Sequence, residues 1–363
     1  MDCFLHIGTG KTGTTTIQDF LAANRRSLSK QGILYPKSPG KRRHVRVSFF
    51  ARNDKRVKAM NEWKRRGGGE PDTFREEFRA AFLKEIDNSN AQTTILSDEA
   101  LSALRDEEIA RLKELLDTCF NQVHVIIYLR RQDDYIASRY QQDIKKGRTY
   151  TLDEYLRRLP RGTYDYHAKC RRFARHFGKG QVLPRVFDRE SFVGGSLLHD
   201  FASATGIPDS LVDLTIKNKQ ADGATDSDDP ESERNRSLDA RRTEFLRRMN
   251  FHFDEIEDPR ARNRYRRAVT LALVRRSDGP VLAPDDSTLD KIMEQFADSN
   301  AAVAKEYLGR KDGILFSSTR RQRETVSKIE LDTEDMARIS LELGFDIWER
   351  KQGRQRGKKK KSG

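Results

Sequence analysis

The chain has 363 residues, 36% of them hydrophobic, and its 70 Lys and Arg outnumber 56 Asp and Glu to give a formal net charge of +14. That length allows one large α/β domain with appendages, and no apolar stretch reaches the ~20 residues of a membrane-spanning helix. Three scattered cysteines (Cys3, Cys119, Cys170) and seven histidines without ligand spacing exclude a disulfide framework and predict no metal centre.

The first apolar run, Cys3, Phe4, Leu5 and Ile7, predicts a short buried strand over 2–7. A helical run follows, with Ile17, Phe20, Leu21 and Leu28 on one face. Between them lie Gly10, Lys11, Thr12, Gly13, Thr14, Thr15 and Thr16. Strand, glycine-rich turn and helix together describe an anion cradle, because N–H groups and the helix dipole both point at the ligand. Lys11 adds a full charge and the threonines add hydroxyl donors.

Residues 52–70 are charged and glycine-rich, with Arg65-Arg66-Gly67-Gly68-Gly69, and predict a flexible loop or flap before a helix near Phe74 to Ile86. Ile95 and Leu96 predict a strand over 93–97 that ends in Ser97-Asp98-Glu99. The continuous run Val123, Val125 to Leu129 predicts a buried parallel strand that leads into Arg130. Phe173 to Phe177 reads as a helix, and 181–187 as the next strand. Strands alternating with helices predict an α/β fold, a parallel sheet flanked by helices. The predicted core is 1–215, and 216–235 is an acidic loop without fixed structure. Helical runs near 241–250, 260–275, 290–307 and 333–348 predict a C-terminal elaboration, 236–348, that completes the same domain and shapes an acceptor site. Residues 349–363 form a basic disordered tail ending in four lysines.

Gly10-Lys11-Thr12 fits the end of a Walker A motif, but its first glycine would fall at Leu5. Lys11-Thr12-Gly13-Thr14-Thr15 instead resembles the 5′-phosphosulfate loop of sulfotransferases that use 3′-phosphoadenosine 5′-phosphosulfate (PAPS). Arg130, Asp134 and Ser138 stand at the spacings of that family's 3′-phosphate motif, in which an arginine ends a strand and a serine lies two helical turns on. The resemblance covers about the first two hundred residues and is nearest to bacterial members. It implies a P-loop-like sulfotransferase fold, PAPS as donor and adenosine 3′,5′-bisphosphate as product. Gly10 to Thr16 would hold the 5′-phosphate, with Lys11 stabilising charge as the sulfuryl bond breaks. Arg130 and Ser138 would anchor the 3′-phosphate. The animal enzymes' Arg-Lys-Gly loop is only half matched by Arg310-Lys311-Asp312-Gly313, so that role is not carried over.

An acceptor hydroxyl needs a base. His44 is the first choice, placed after Tyr35-Pro36 where several carbohydrate sulfotransferases put theirs. Glu99 and Asp98, at a strand's C-terminal end, come second. His6 and His124 read as structural. The rival function is a nucleotide-dependent kinase or ATPase, with Lys11-Thr12 on phosphate and Asp98 on Mg²⁺. A third is a non-catalytic polyanion-binding protein.

The expected acceptor is a carbohydrate, glycolipid or small alcohol or phenol. No nucleic-acid module accompanies the charge, so specific nucleic-acid binding is not expected, and the tail predicts at most weak contact with a polyanion or membrane surface. The N-terminus lacks a signal peptide's order, which predicts a cytoplasmic protein.

Overall fold

Continuous apolar runs become the strands of one parallel sheet. In the computed structural model, residues 1–221, 236–320 and 322–359 are described. They fall into two compact units, the first made of Met1–Arg131, Pro160–Asn218 and Gln295–Thr319.

The sheet belongs to the first unit. Its strands are β1 (Asp2–His6), β2 (Ile33–Leu34), β3 (Thr93–Ser97), β4 (Val123–Leu129) and β5 (Val182–Val186). Their order is β2-β3-β1-β4-β5, all parallel. Successive side chains point to opposite faces. Cys3, Leu5, Leu96, Val125, Ile127 and Leu129 enter one core, where helices Pro71–Asp87, Asp106–Asp117 and Tyr166–Phe177 contribute Phe78, Phe82, Leu112 and Phe173. Ile33, Ile95, Ile126 and Tyr128 enter the other core, closed by Phe20 and Leu21 of helix α1 (Thr14–Ala23) and by Phe201 of helix Leu197–Thr205. A sheet covered on both faces explains why its strands read as unbroken apolar runs.

β1 lies between β3 and β4, so the chain leaves it first to one side and later to the other. Ligands of open parallel sheets bind at such a switch point, beyond the strands' carboxyl ends. The segments after β1, β3 and β4 carry Gly8–Thr16, Asp98-Glu99 and Arg130.

The second unit comprises Gln132–Leu159, Lys219–Glu294 and Arg320–Gly363. The Gln141 amide bonds both the N–H (3.2 Å) and the carbonyl (2.8 Å) of Leu238, and Asn250 Nδ2 donates to the Ile144 and Arg148 carbonyls at 2.8 and 2.9 Å. These bonds tie helix Gln132–Lys145 to helix Ala240–Phe253 and to the segment before it. No described helix is long and apolar enough to cross a membrane.

Four readings of the sequence differ from this. Residues 52–70 hold two short helices, Asp54–Lys58 and Asn61–Arg65, because Val57 and Trp63 are buried among the charges. Helix Asp209–Ala221 runs into the expected acidic loop, whose residues 222–235 lie outside the described ones. The run 290–307 divides into Asp286–Gln295 and Ala297–Leu308, and 236–348 contributes to both compact units. The last helix, Thr333–Lys359, continues through most of the expected tail, and residues 360–363 lie outside the described ones.

Candidate functional site

The loop after β1 is stitched to its neighbouring strand. Thr9 donates to the Tyr128 carbonyl from both its N–H and its Oγ1, each at 3.1 Å, and Tyr128 N donates to the Gly8 carbonyl at 2.6 Å. Thr12, fully buried, donates from Oγ1 to the Thr9 carbonyl at 2.6 Å. Those bonds close a short turn in which Lys11 adopts φ 66°, a left-handed conformation costing about 1–2 kcal/mol for a residue with a Cβ. Strain of this kind persists where surroundings over-determine it, commonly at ligand clamps.

α1 starts directly after Gly13 (φ 70°), which has no side chain to cap it. Helix geometry leaves the first N–H groups, those of Thr14, Thr15 and Thr16, without intrahelical acceptors. A Cβ at Gly13 would lie 2.2 Å from Leu197 Cδ2 at φ 70°, so any other residue there is strained and must displace the Leu197 side chain. Leu197 is held by its helix, where Asp200 accepts from Arg185 Nε and Nη2 (2.5 and 2.6 Å) and from the Tyr128 hydroxyl (2.7 Å). Sequence reasoning missed this support, since Asp200 and Leu197 lie far from the loop along the chain.

Arg130 leaves the end of β4, and its Nη1 donates to the Lys11 carbonyl at 3.1 Å. Its guanidinium lies 6.0 Å over the Phe187 ring, while its own carbonyl accepts from the Tyr166 hydroxyl at 2.5 Å. The loop after β1 and the strand-end arginine thus meet in the first unit. Ser138 and Asp134 belong to helix Gln132–Lys145 of the second unit, half-buried there.

Beyond β3 stands a cluster of charge. Asp98 is fully buried; its Oδ1 accepts from Arg43 Nε at 2.7 Å and from Ala100 N at 3.0 Å. Burial pushes its pKa up to about 6, against the pull of Arg43 and with a further push from Glu99. Its Oδ2 is buried with no hydrogen-bond partner. Glu99 is partly open, and both its oxygens are held: Oε1 by Arg43 Nε at 3.3 Å, Oε2 by Gln18 Nε2 at 3.2 Å. A Cβ on Gly8 would lie 2.9 Å from Glu99 Cβ, so the carboxylate stems from a backbone touching the loop after β1. Arg43 and Gln18 were not singled out from sequence. Arg43 read as one of three basic residues in a row, and its partners, Glu62 and Asp98, are distant along the chain.

His44 is placed otherwise than a reactive base. Its ring is fully buried and stacked 4.2 Å from Tyr35, and Nδ1 accepts from Ser97 N at 3.3 Å. Burial, with the nearby Arg25 charge, pushes its pKa down to about 3 despite an opposing pull from the Pro36 carbonyl. A base must reach the proton it takes, and this ring reaches only the interior. His6 is likewise buried, with Nδ1 2.8 Å from Ser97 Oγ, and His124 stacks on Phe4 at 5.0 Å.

No family model matches the chain. A protein of Archaeoglobus fulgidus described as uncharacterized is 26% identical over 230 residues, 61% of this chain and 56% of that protein. The chain therefore matches just over half the length of that curated relative. The crystal structure of a sulfotransferase from Alicyclobacillus acidocaldarius aligns with 57% of this chain and 82% of its own, at a TM-score of 0.37 and 16% identity.

Proposed function

We propose that the protein is a PAPS-dependent sulfotransferase acting on a hydroxyl acceptor. The observation that carries this is the meeting of Arg130, at the end of β4, with the Lys11 carbonyl in a glycine-gated loop that opens α1. Unspent N–H groups, a lysine and an arginine converging at a sheet's switch point fit a donor with two phosphate groups. That donor supplies the activated sulfuryl group. Lys11 and the N–H groups of Thr14 to Thr16 would hold the 5′-phosphate, with the Thr12 hydroxyl fixing the loop and Gly10 and Gly13 allowing close approach. Arg130 would hold the 3′-phosphate, a role the sequence motif also gives to Ser138.

Glu99 is the base in this reading. Arg43 and Gln18 fix its orientation, it is partly open, and it stands beside the loop. It takes the proton from the acceptor hydroxyl while Lys11 compensates charge on the departing 5′-phosphate oxygen. Asp98 and Arg43 act as positioning residues. Asp98 is paired with Arg43 and fully buried, an environment unlike a hydrated Mg²⁺ site. The acceptor class, a carbohydrate, glycolipid or small alcohol or phenol met in the cytoplasm, belongs to the same proposal. So does weak contact of the basic segment 349–363 with an anionic polymer or membrane surface.

The test is calorimetric titration with adenosine 3′,5′-bisphosphate, adenosine 5′-monophosphate, ADP and ATP, with and without Mg²⁺. Metal-independent preference for the bisphosphate, reduced about tenfold or more in Arg130→Ala while monophosphate binding holds, is the expected result. Preference for ATP with Mg²⁺ would overturn it.

A further inference from the structure

The first unit contains a cavity of about 470 Å³ that the transfer chemistry leaves unused. Helices Val45–Ala51, Asn61–Arg65 and Pro71–Asp87 enclose it, and Arg46, Phe49, Trp63, Arg66, Gly68 and Phe74 are among its walls. The volume lies in the range of small-molecule sites, which combine apolar walls with few polar groups. Trp63 packs edge-on against Phe49 (5.3 Å, 87°) and Phe74 (4.9 Å, 86°), giving a rigid aromatic lining.

Two cations share that lining. The Arg46 guanidinium lies 5.3 and 5.5 Å over the rings of Phe74 and Phe78 and makes no ion pair within 4.0 Å among the described residues. Burial lowers its pKa; the Glu77 charge opposes this and the Arg66 charge adds to it. Of the two carboxylates in the walls, Glu70 is paired with Lys58 at 3.0 Å, and the charge of Glu77 acts on Arg46. Arg66 begins a chain of ion pairs: to Glu62 at 3.2 Å, from Glu62 to Arg43 at 3.0 Å, and from Arg43 to Glu99 at 3.3 Å. The cavity wall is thus tied, charge by charge, to the proposed base. Gly67, Gly68 and Gly69 all have positive φ (102°, 62° and 99°), and Gly68 stands where a Cβ would be 3.6 Å from the indole nitrogen of Trp63.

We propose that this cavity is a binding site for a small molecule whose ring carries an anionic group. The ring lies against Trp63 and Phe74, and the anion bridges Arg46 and Arg66. The ligand class rests on the cavity alone and is independent of the transfer reading. Two sources share this chemistry, a phenolic acid and an acidic or already sulfated sugar.

Trp63 makes the test direct, because the chain has only two tryptophans. In a Trp348→Phe background, its fluorescence is titrated with 4-hydroxybenzoate, with a sulfated disaccharide, and with the neutral counterpart of each. Saturable quenching by at least one anion, about tenfold tighter than by its neutral counterpart and lost in Arg46→Met, is expected. The anion that binds identifies the source. If neither anion outbinds its counterpart, or if both Arg46→Met and Arg66→Gln bind unchanged, the ligand class is overturned. Adenosine 3′,5′-bisphosphate is titrated against the same sample. Bisphosphate binding without ring-anion binding overturns the pocket and leaves the transfer reading standing. Ring-anion binding without bisphosphate binding supports the pocket and overturns the transfer reading.

Discussion

Replacing Arg43 with methionine removes the cation that faces a fully buried Asp98 but keeps an apolar stem of similar length. At 2.7 Å and an effective dielectric of about 20 the lost attraction is ~6 kcal/mol before solvation is counted. The buried acid limits the damage by taking a proton. In the native protein its pKa already stands at about 6 because of burial, above the ordinary 3.8. A raised carboxyl pKa means that the folded state binds more protons than the unfolded one between those values. Stability from this group is therefore fullest at low pH and falls as pH rises through about 6. At pH 5 Asp98 is already neutral, and losing Arg43 adds little through it. At pH 8 the variant must either bury a bare carboxylate or hold a proton two pH units above the native pKa. At about 1.4 kcal/mol per unit, that caps the added loss at about 3 kcal/mol. Urea unfolding of Arg43→Met in a Trp348→Phe background, followed by Trp63 fluorescence, is expected to show that extra loss at pH 8 relative to pH 5. Adding Asp98→Asn should remove it. Equal losses at both pH values, or persistence in the double variant, would refute the account of the cluster.

Glu99→Gln keeps the side chain's shape and removes the proton acceptor, so kcat is expected to fall by about 10²–10⁴ with bisphosphate affinity retained, read by product assay and calorimetry. His44→Asn, by contrast, should leave kcat within a few-fold while lowering the thermal midpoint, since the ring fills a buried space against Tyr35. Gly13→Ala places a methyl 2.2 Å from Leu197 Cδ2 at φ 70°, and a loss of about 1–3 kcal/mol together with bisphosphate binding is expected in denaturation and titration. Retention of full affinity in that variant would remove the case for a glycine-gated turn.

The sheet was legible because strands buried on both faces leave nothing but apolar residues to read, as in Val123 to Leu129. β2, only Ile33 and Leu34, is too short for any such run. The stretch 52–70 misled because charge dominates its composition, whereas two buried anchors, Val57 and Trp63, decide its structure. The loop after β1 and the arginine after β4 stood out because glycine, threonine, lysine and arginine there are the residue types that bind anions. The support of Glu99 did not: Gln18 reaches it across 81 positions and Arg43 across 56, and no local pattern records such partners. His44 shows the converse, a titratable residue in a basic run whose fate is set by Tyr35 and Ser97 packed around it. The second unit joins 132–159 to 219–294, a pairing of distant segments that periodicity alone does not reveal.

The left-handed backbone at Lys11 also bears on how this protein would respond to selection. Natural proteins sit just above the stability they need, and stabilising exchanges are common where function tolerates them. At position 11 the backbone favours glycine and the proposed donor site favours lysine. A library enriched only for heat resistance would drift away from lysine there, and one enriched for turnover would hold it. The residue to which the proposed chemistry gives charge compensation is thus one that folding, left to itself, would not choose.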